Sequence, residues 1–153
     1  MRQEAESLSG ARQHRVRVHA DATLWCTGNE GELRSALSNL VNNAVLYTPD
    51  GSRIDIHWQE RSDGLVLQVS DDGEGIPPEH LPRLAERFYR VDPGRSRSRG
   101  GTGLGLAIVR HVVLRHGGEF DIDSTLGQGS TFTCRLPARL AQRQRGGMRV
   151  AGQ

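Results

Sequence analysis

The sequence predicts an α/β domain, a two-layer sandwich in which one mixed β-sheet is covered on one face by helices. Three observations carry this. Short runs that alternate apolar and polar residues recur from the start to the end of the chain, two longer runs repeat apolar residues at three- and four-residue steps, and the two kinds are interleaved. At 153 residues the chain fits one domain with one core.

Residues 1 to 12 are polar and rich in Gln, Glu and Arg, which predicts the frayed end of a helix, the remnant of a linker or dimerisation helix. Val16 and Val18 alternate with Arg15, Arg17 and His19, and Thr23 to Cys26 is short and apolar, so two brief strands are expected. From Glu30 to Leu46, Leu33, Ala36, Leu37, Leu40, Val41 and Ala44 mark one face of an amphipathic helix. Thr48-Pro49-Asp50-Gly51 breaks it with turn chemistry. Ile54, Ile56 and Trp58 then alternate with polar residues, and Ser62-Asp63-Gly64 joins them to Leu65, Leu67 and Val69, which predicts a hairpin. Pro77 and Pro78 can open a short helix through about Leu84, while Phe88 to Gly103, rich in Arg, Ser and Gly without periodicity, predicts a mobile loop. Leu104, Ala107, Ile108 and Val112 mark a second major helix, stopped at Gly117-Gly118. Phe120, Ile122 and the run Thr131 to Leu136 form a last strand pair around Gly127-Gln128-Gly129. The domain is thus expected over 13–137, with 138–153 a disordered tail.

Composition excludes several classes. No apolar run is long enough to cross a bilayer and no leader pattern is present, so a soluble, cytoplasmic piece is expected. The net charge of +2 is too small to argue for nucleic acid. Cys26 and Cys134 read as small buried thiols rather than a disulfide, and no metal cluster is visible. All 20 basic residues are arginine. Without lysine a P-loop is excluded, because its chemistry needs a lysine on the terminal phosphates.

Four segments carry chemistry. Asn39-Leu40-Val41-Asn42-Asn43-Ala44 sets two amides, Asn39 and Asn43, one helical turn apart at the margin of the apolar stripe, where neutral oxygens suit Mg²⁺; exposed helix asparagines are the plain alternative. Val69 to Ile76 ends a strand on Asp71 with Gly73 and Gly75 behind it. A carboxylate there can accept from an exocyclic amine such as that of adenine, and the glycines admit a flat ring; an acidic turn is the alternative. Gly100 to Leu106 puts flexible backbone before a helix, where free N–H groups can meet phosphate oxygens. It follows an arginine-rich loop rather than a strand, which argues against a dinucleotide fold. Glu86 to Arg90 offers aromatics that can anchor the loop and arginines that can reach a phosphate.

In this order the segments resemble the four sequence boxes of sensor histidine kinases, within the superfamily shared with DNA gyrase, Hsp90 and MutL, over roughly residues 12 to 137. The wording of Glu32 to Ala44 and of Pro78 to Asp92 is similar to the phosphate-regulon branch of that family. The resemblance implies a Bergerat-type ATP-binding fold with ATP and Mg²⁺ as cofactors. It implies Asn43 as the Mg²⁺ ligand with Asn39 assisting, Asp71 as the reader of adenine, and Tyr47, Gly73, Gly75 and Ile76 around the base. Phe88, Tyr89 and Arg90 would help to bind the nucleotide, Arg90 contacting the phosphates, and Gly101, Thr102, Gly103, Leu104, Gly105 and Leu106 would close over them as part of a lid. One departure is Leu46, where many members carry lysine; Arg90 or lid arginines would compensate.

None of His14, His19, His57, His80, His111 and His116 stands in the family's phosphoacceptor motif. The resemblance therefore implies a catalytic domain without self-phosphorylation, monomeric as a piece. It would transfer the γ-phosphoryl to a histidine on the dimerisation domain of its own kinase and thence to a response regulator, in phosphate-starvation signalling. A gyrase-type hydrolase is the rival enzyme, but its pattern has a glutamate base where this chain has Asn39. A nucleotide-gated binding module without transfer shares every feature seen.

Overall fold

The computed structural model describes residues 2–94 and 100–144. Helices α1 (Arg2–Ser9), α2 (Glu30–Tyr47) and α3 (Gly105–Arg115) accompany strands β1 (Arg15–Ala20), β2 (Leu24–Cys26), β3 (Arg53–Arg61), β4 (Gly64–Asp71), β5 (Glu119–Thr125), β6 (Gly129–Pro137) and β7 (Ala141–Arg143). The sheet runs β1-β3-β4-β6-β5. Only the β1–β3 pair is parallel, so the sheet is mixed, as expected.

Alternation decides which face is buried. Ile54, Ile56, Leu65, Val69, Phe132, Cys134 and Leu136 lie in register on one face and are all buried. Their neighbours Asp55, His57, Gln68, Ser70 and Thr131 face the other way and are polar, which is how an antiparallel sheet with one wet face reads. Helix α2 lies over this apolar face, burying Ala36, Leu40, Val41, Ala44 and Val45. Asn29 caps α2, its side-chain oxygen accepting from the Glu32 N–H at 3.0 Å. Helix α3 packs beside α2 through Val109, Val112 and Val113.

Two expectations need correction, and a third, the short helix after Pro77, is met in a tighter form. The N-terminal helix is docked rather than frayed, because Ala5 is buried in the core and Ser9 beneath it. The short helix after Pro77 is a 3-10 turn over Pro78–Arg83; Pro82 inside it has no N–H to give an α-helical ladder. The tail is ordered to Gln144. Leu140 enters the core at 8% exposure, and β7 pairs antiparallel with β2 in a separate two-stranded sheet. Arg143 fixes that pairing through Asp21 at 2.9 Å and Glu60 at 2.7 Å. One leucine among Arg and Gln carries no periodicity, so the sequence pattern missed it. The rest of the expected tail, 145–153, lies outside the described residues, as do Arg95 to Arg99 of the expected mobile loop.

The domain boundary has a direct test. A chain ending at Gln144 keeps every described contact and serves as the reference. One ending at Pro137 loses the Leu140 anchor and the β2–β7 pairing and should be about 2–5 kcal/mol less stable, read by denaturant titration.

Candidate functional site

A cleft of about 250 Å³ opens between the second half of α2, the loop after β4, residues 89–92 and the start of α3, with Ser130 and Phe132 of β6 at its floor. Its shape follows from α2. Positions 39, 43 and 47 succeed one another at one-turn spacing beside the stripe that packs on the sheet, so Asn39, Asn43 and Tyr47 line the cleft together.

Asn39 is held in one orientation. Its amide nitrogen donates to the Ser35 carbonyl at 2.8 Å, which turns the oxygen toward α3. A β-carbon at Gly105 would stand only 3.1 Å from that oxygen, so glycine lets the helix start against Asn39. The first turn of α3 has no side-chain cap. Its end therefore offers backbone donors and positive potential beside the Asn39 amide oxygen and the Asn43 side chain. Among the described residues no cluster of His, Cys, Asp or Glu is arranged to hold a metal. Amide oxygens at Asn39 and Asn43, next to a place for anionic ligand oxygens, fit the needs of Mg²⁺, which retains water and takes few protein ligands.

Asp71 ends β4 with its side chain on the buried face, in line with Val69 and Leu67. Burial pushes its carboxyl above the ordinary value, and N–H groups of Gly73 and Ser130 partly oppose this by bonding the carboxylate. The Gly73 bond measures 3.0 Å. Gly75 has φ +72, and a β-carbon there would collide with the Thr125 carbonyl. The loop is pinned further by the Ile76 N–H on Ser124 Oγ at 2.8 Å and the Gly127 N–H on the Glu74 carbonyl at 2.8 Å.

The opposite rim is stitched at its base. The Phe88 N–H donates to the Gly103 carbonyl at 2.8 Å, and the Arg90 guanidinium donates to the Gly101 carbonyl. Gly103, at φ +74, leaves room for the Phe88 backbone, whose Cα would be 2.9 Å from a β-carbon there. Tyr89 is held by His80, which shares a hydrogen bond with its hydroxyl, and by Arg83 stacked 4.5 Å over its ring.

Of the residues singled out from the sequence, Asn39, Asn43, Tyr47, Asp71, Gly75, Ile76, Tyr89, Arg90, Gly101, Thr102, Gly103, Gly105 and Leu106 line one cleft. Gly73, Phe88 and Leu104 do not. Gly73 lies behind Asp71, against Thr48; Phe88 points outward, 71% exposed at φ +65; Leu104 precedes α3 as its N-cap. The lining residues that sequence reasoning missed include Asn42, Leu84, Ser130 and Phe132. Asn42 stood within the same asparagine motif, whereas the two β6 residues arrive only through strand pairing with Asp71 and Val69.

Comparison with known proteins fits this geometry. Residues 28–140 match the family described as histidine kinase-, DNA gyrase B-, and HSP90-like ATPase. The chain is 52% identical over 146 residues to the phosphate regulon sensor protein PhoR of Pseudomonas aeruginosa, covering 95% of this chain and 33% of that protein. It is 47% identical over 123 residues to the sensor-like histidine kinase SenX3 of Mycobacterium tuberculosis (strain ATCC 25618 / H37Rv), covering 80% of this chain and 30% of that one. It thus spans about a third of the length of these curated relatives. Among solved structures, the mycobacterial sensor histidine kinase MprB superposes with a TM-score of 0.75 at 28% identity, covering 94% of both chains. Full-length ShkA in complex with AMPPNP superposes with the same TM-score of 0.75 at 28% identity, covering 98% of this chain and 31% of that one. On these matches and this fold, the chain belongs to the histidine kinase-, DNA gyrase B- and HSP90-like ATPase family.

Proposed function

We propose that this domain binds Mg²⁺-ATP in the α2–α3 cleft and, within a sensor histidine kinase, presents the γ-phosphoryl to a histidine on that kinase's dimerisation domain. The phosphoryl then passes to a response regulator, in phosphate-starvation signalling, on the cytoplasmic side of an inner-membrane kinase. Among the described residues no helix is long and apolar enough to cross a membrane.

The observation that carries this reading is the polarity of the cleft: a half-buried carboxylate at one end, an uncapped helix N-terminus with two asparagine side chains at the other. Asp71 would accept from the adenine amino group, with Tyr47, Gly75 and Ile76 about the base and Gly73 holding the carboxylate from behind. Asn43, assisted by Asn39, would hold Mg²⁺, which when bound neutralises phosphate charge. The α3 amides would bind phosphate oxygens. Arg90 would reach them by exchanging its bond to the Gly101 carbonyl, and so replace the lysine that Leu46 lacks. The binding of AMPPNP by ShkA, at 28% identity, supports a nucleotide in this place. The protein's task is positioning and charge neutralisation, because the nucleophile comes from another domain.

Asp71 gives two predictions. Asp71→Asn keeps an oxygen for the Gly73 N–H but loses the charge, and should weaken ATP binding roughly ten- to hundredfold, by about 1.5–3 kcal/mol. Undiminished affinity in isothermal titration, or equal binding of GTP by the parent, refutes the assignment. With the folded pKa raised above 3.8, Asp71 stabilises the fold below 3.8 and loses that contribution as pH rises through the raised value. Asp71→Asn should therefore not lower the melting temperature at pH 7. ATP affinity should decline on acidification at a pH above that expected for an ordinary carboxylate.

Asn39 bears on the choice between transfer and hydrolysis. An amide cannot take a proton from water, and general-base assistance typically contributes about 10²–10⁴-fold, so saturated Mg²⁺-ATP should be hydrolysed only very slowly. Phosphate release on the order of 1 s⁻¹ or faster would favour a hydrolase over a kinase. Asn39→Glu should raise the rate where its carboxylate reaches the water.

A further inference from the structure

Thr48, the residue after α2, is buried between two things. Its Cγ2 packs on Gly73 so closely that a β-carbon at 73 would stand 2.9 Å from it. Gly73 in turn donates to the Asp71 carboxylate at 3.0 Å. On its other side Thr48 lies in a buried hydrogen-bond chain whose direction is fixed. Its hydroxyl donates to the Ala44 carbonyl at 2.7 Å, so its oxygen accepts from His14 Nε2–H at 2.9 Å. His14 Nδ1 then accepts from the Ser9 hydroxyl at 2.8 Å, while Ser9 Oγ accepts the His14 backbone N–H at 2.8 Å. Ser9, His14 and Thr48 are 5%, 8% and 2% exposed, so water does not substitute for any link.

Arg12 fixes the same point from the surface. Its guanidinium donates to the carbonyls of Val45 and Thr48 and, at 2.7 Å, to the Asp50 carboxylate. These carbonyls close α2, where backbone acceptors lack helical partners and a cation is favoured. The Gly51 N–H returns to the Arg12 carbonyl at 2.9 Å, and the Arg15 N–H to the Ser52 carbonyl at 2.9 Å.

We propose that Arg12 and His14 are positioning residues for the nucleotide: they set where Thr48 stands, Thr48 sets Gly73, and Gly73 sets the Asp71 carboxylate. Ser9 is the last residue of α1. Side chains in direct contact therefore connect the docked N-terminal helix to the base end of the cleft, and a shift of α1 reaches the nucleotide by this route. The inference rests on the nucleotide reading above. It differs from simple anchoring of the N-terminal segment, which would lower the melting temperature and leave the folded cleft unchanged.

Three variants of the whole chain separate these. Thr48→Ser keeps the hydroxyl and removes the methyl on Gly73; Thr48→Val keeps the methyl and removes the link to His14; Arg12→Gln removes the clamp. In titrations run well below each melting temperature, the Kd for ATP and that for ADP should rise by the same factor in each variant, about three- to tenfold, with the effect of Mg²⁺ on ATP binding unchanged. In the ligand-free protein, the Gly73 amide resonance should move in Arg12→Gln, which changes no atom in contact with Gly73. Folded variants that bind both nucleotides like the parent, with Gly73 unmoved, overturn the proposal even when they melt lower. Should Thr48→Val fail to fold, Thr48→Ser and the partly exposed Arg12→Gln decide. A parent that binds neither nucleotide overturns the function, while the Gly73 resonance still judges the chain of contacts.

Discussion

Everything at the cleft depends on one helix meeting two demands. Helix α2 must bury Ala36, Leu40, Val41, Ala44 and Val45 on the sheet, which fixes its rotation about its own axis. With about 100° between successive residues, that rotation decides where the remaining side chains point. Asn39, Asn43 and Tyr47 fall together at the edge of the buried stripe, aimed at the gap between α2 and α3. The packing of the core and the placing of the polar groups are thus one act. A substitution that rolled α2 by a fraction of a turn would move all three groups at once.

The same coupling sets the opposite end. Asp71 occupies a core-facing position of β4, where the pattern calls for an apolar residue, and its burial penalises the charge it carries. The penalty is held down by N–H groups of Gly73 and Ser130, both fixed by strand pairing or by the turn behind. A half-buried acid with two backbone partners is preorganised: its oxygens are partly desolvated and aimed before any ligand arrives. Local agreement between pattern and burial fails here, as it commonly does where a fold carries function.

How much of this was legible in the sequence depends on range. The long helix, the hairpin and the two glycine segments were visible because their signals are local: a 3.6-residue period, alternation, and glycine beside turn formers. Asp71, Asn39 and Asn43 stood out for the same reason, and twelve further cleft residues lay in the same four segments. Leu140 and β7 were missed because a three-residue strand is defined by its partner β2, far away in sequence. Phe132 reads as strand and Ser130 falls just before it, and neither shows as floor, since their place follows from pairing with Val69 and Asp71. The Arg12 clamp was invisible, because a guanidinium that caps a distant helix leaves no periodic trace.

The two ends of the cleft also differ in how they are held, and the difference has a thermodynamic sense. Around Asp71 the backbone is packed on fixed neighbours: Gly75 against the Thr125 carbonyl, Gly129 against the Asp71 carbonyl, and Gly73 against the methyl of Thr48, whose hydroxyl is held by the Ala44 carbonyl. No rotamer is left to choose, so binding there orders little. The rim opposite is joined by the Phe88–Gly103 and Arg90–Gly101 bonds, and its glycines Gly100 and Gly101 carry no side chain that could pack. Ordering on binding falls mainly on that side. On the proposed reading the base is recognised by a rigid surface and the phosphates by an adjustable one. That division suits phosphoryl transfer: the adenine fixes the nucleotide, and the phosphate end stays free to readjust as the acceptor approaches.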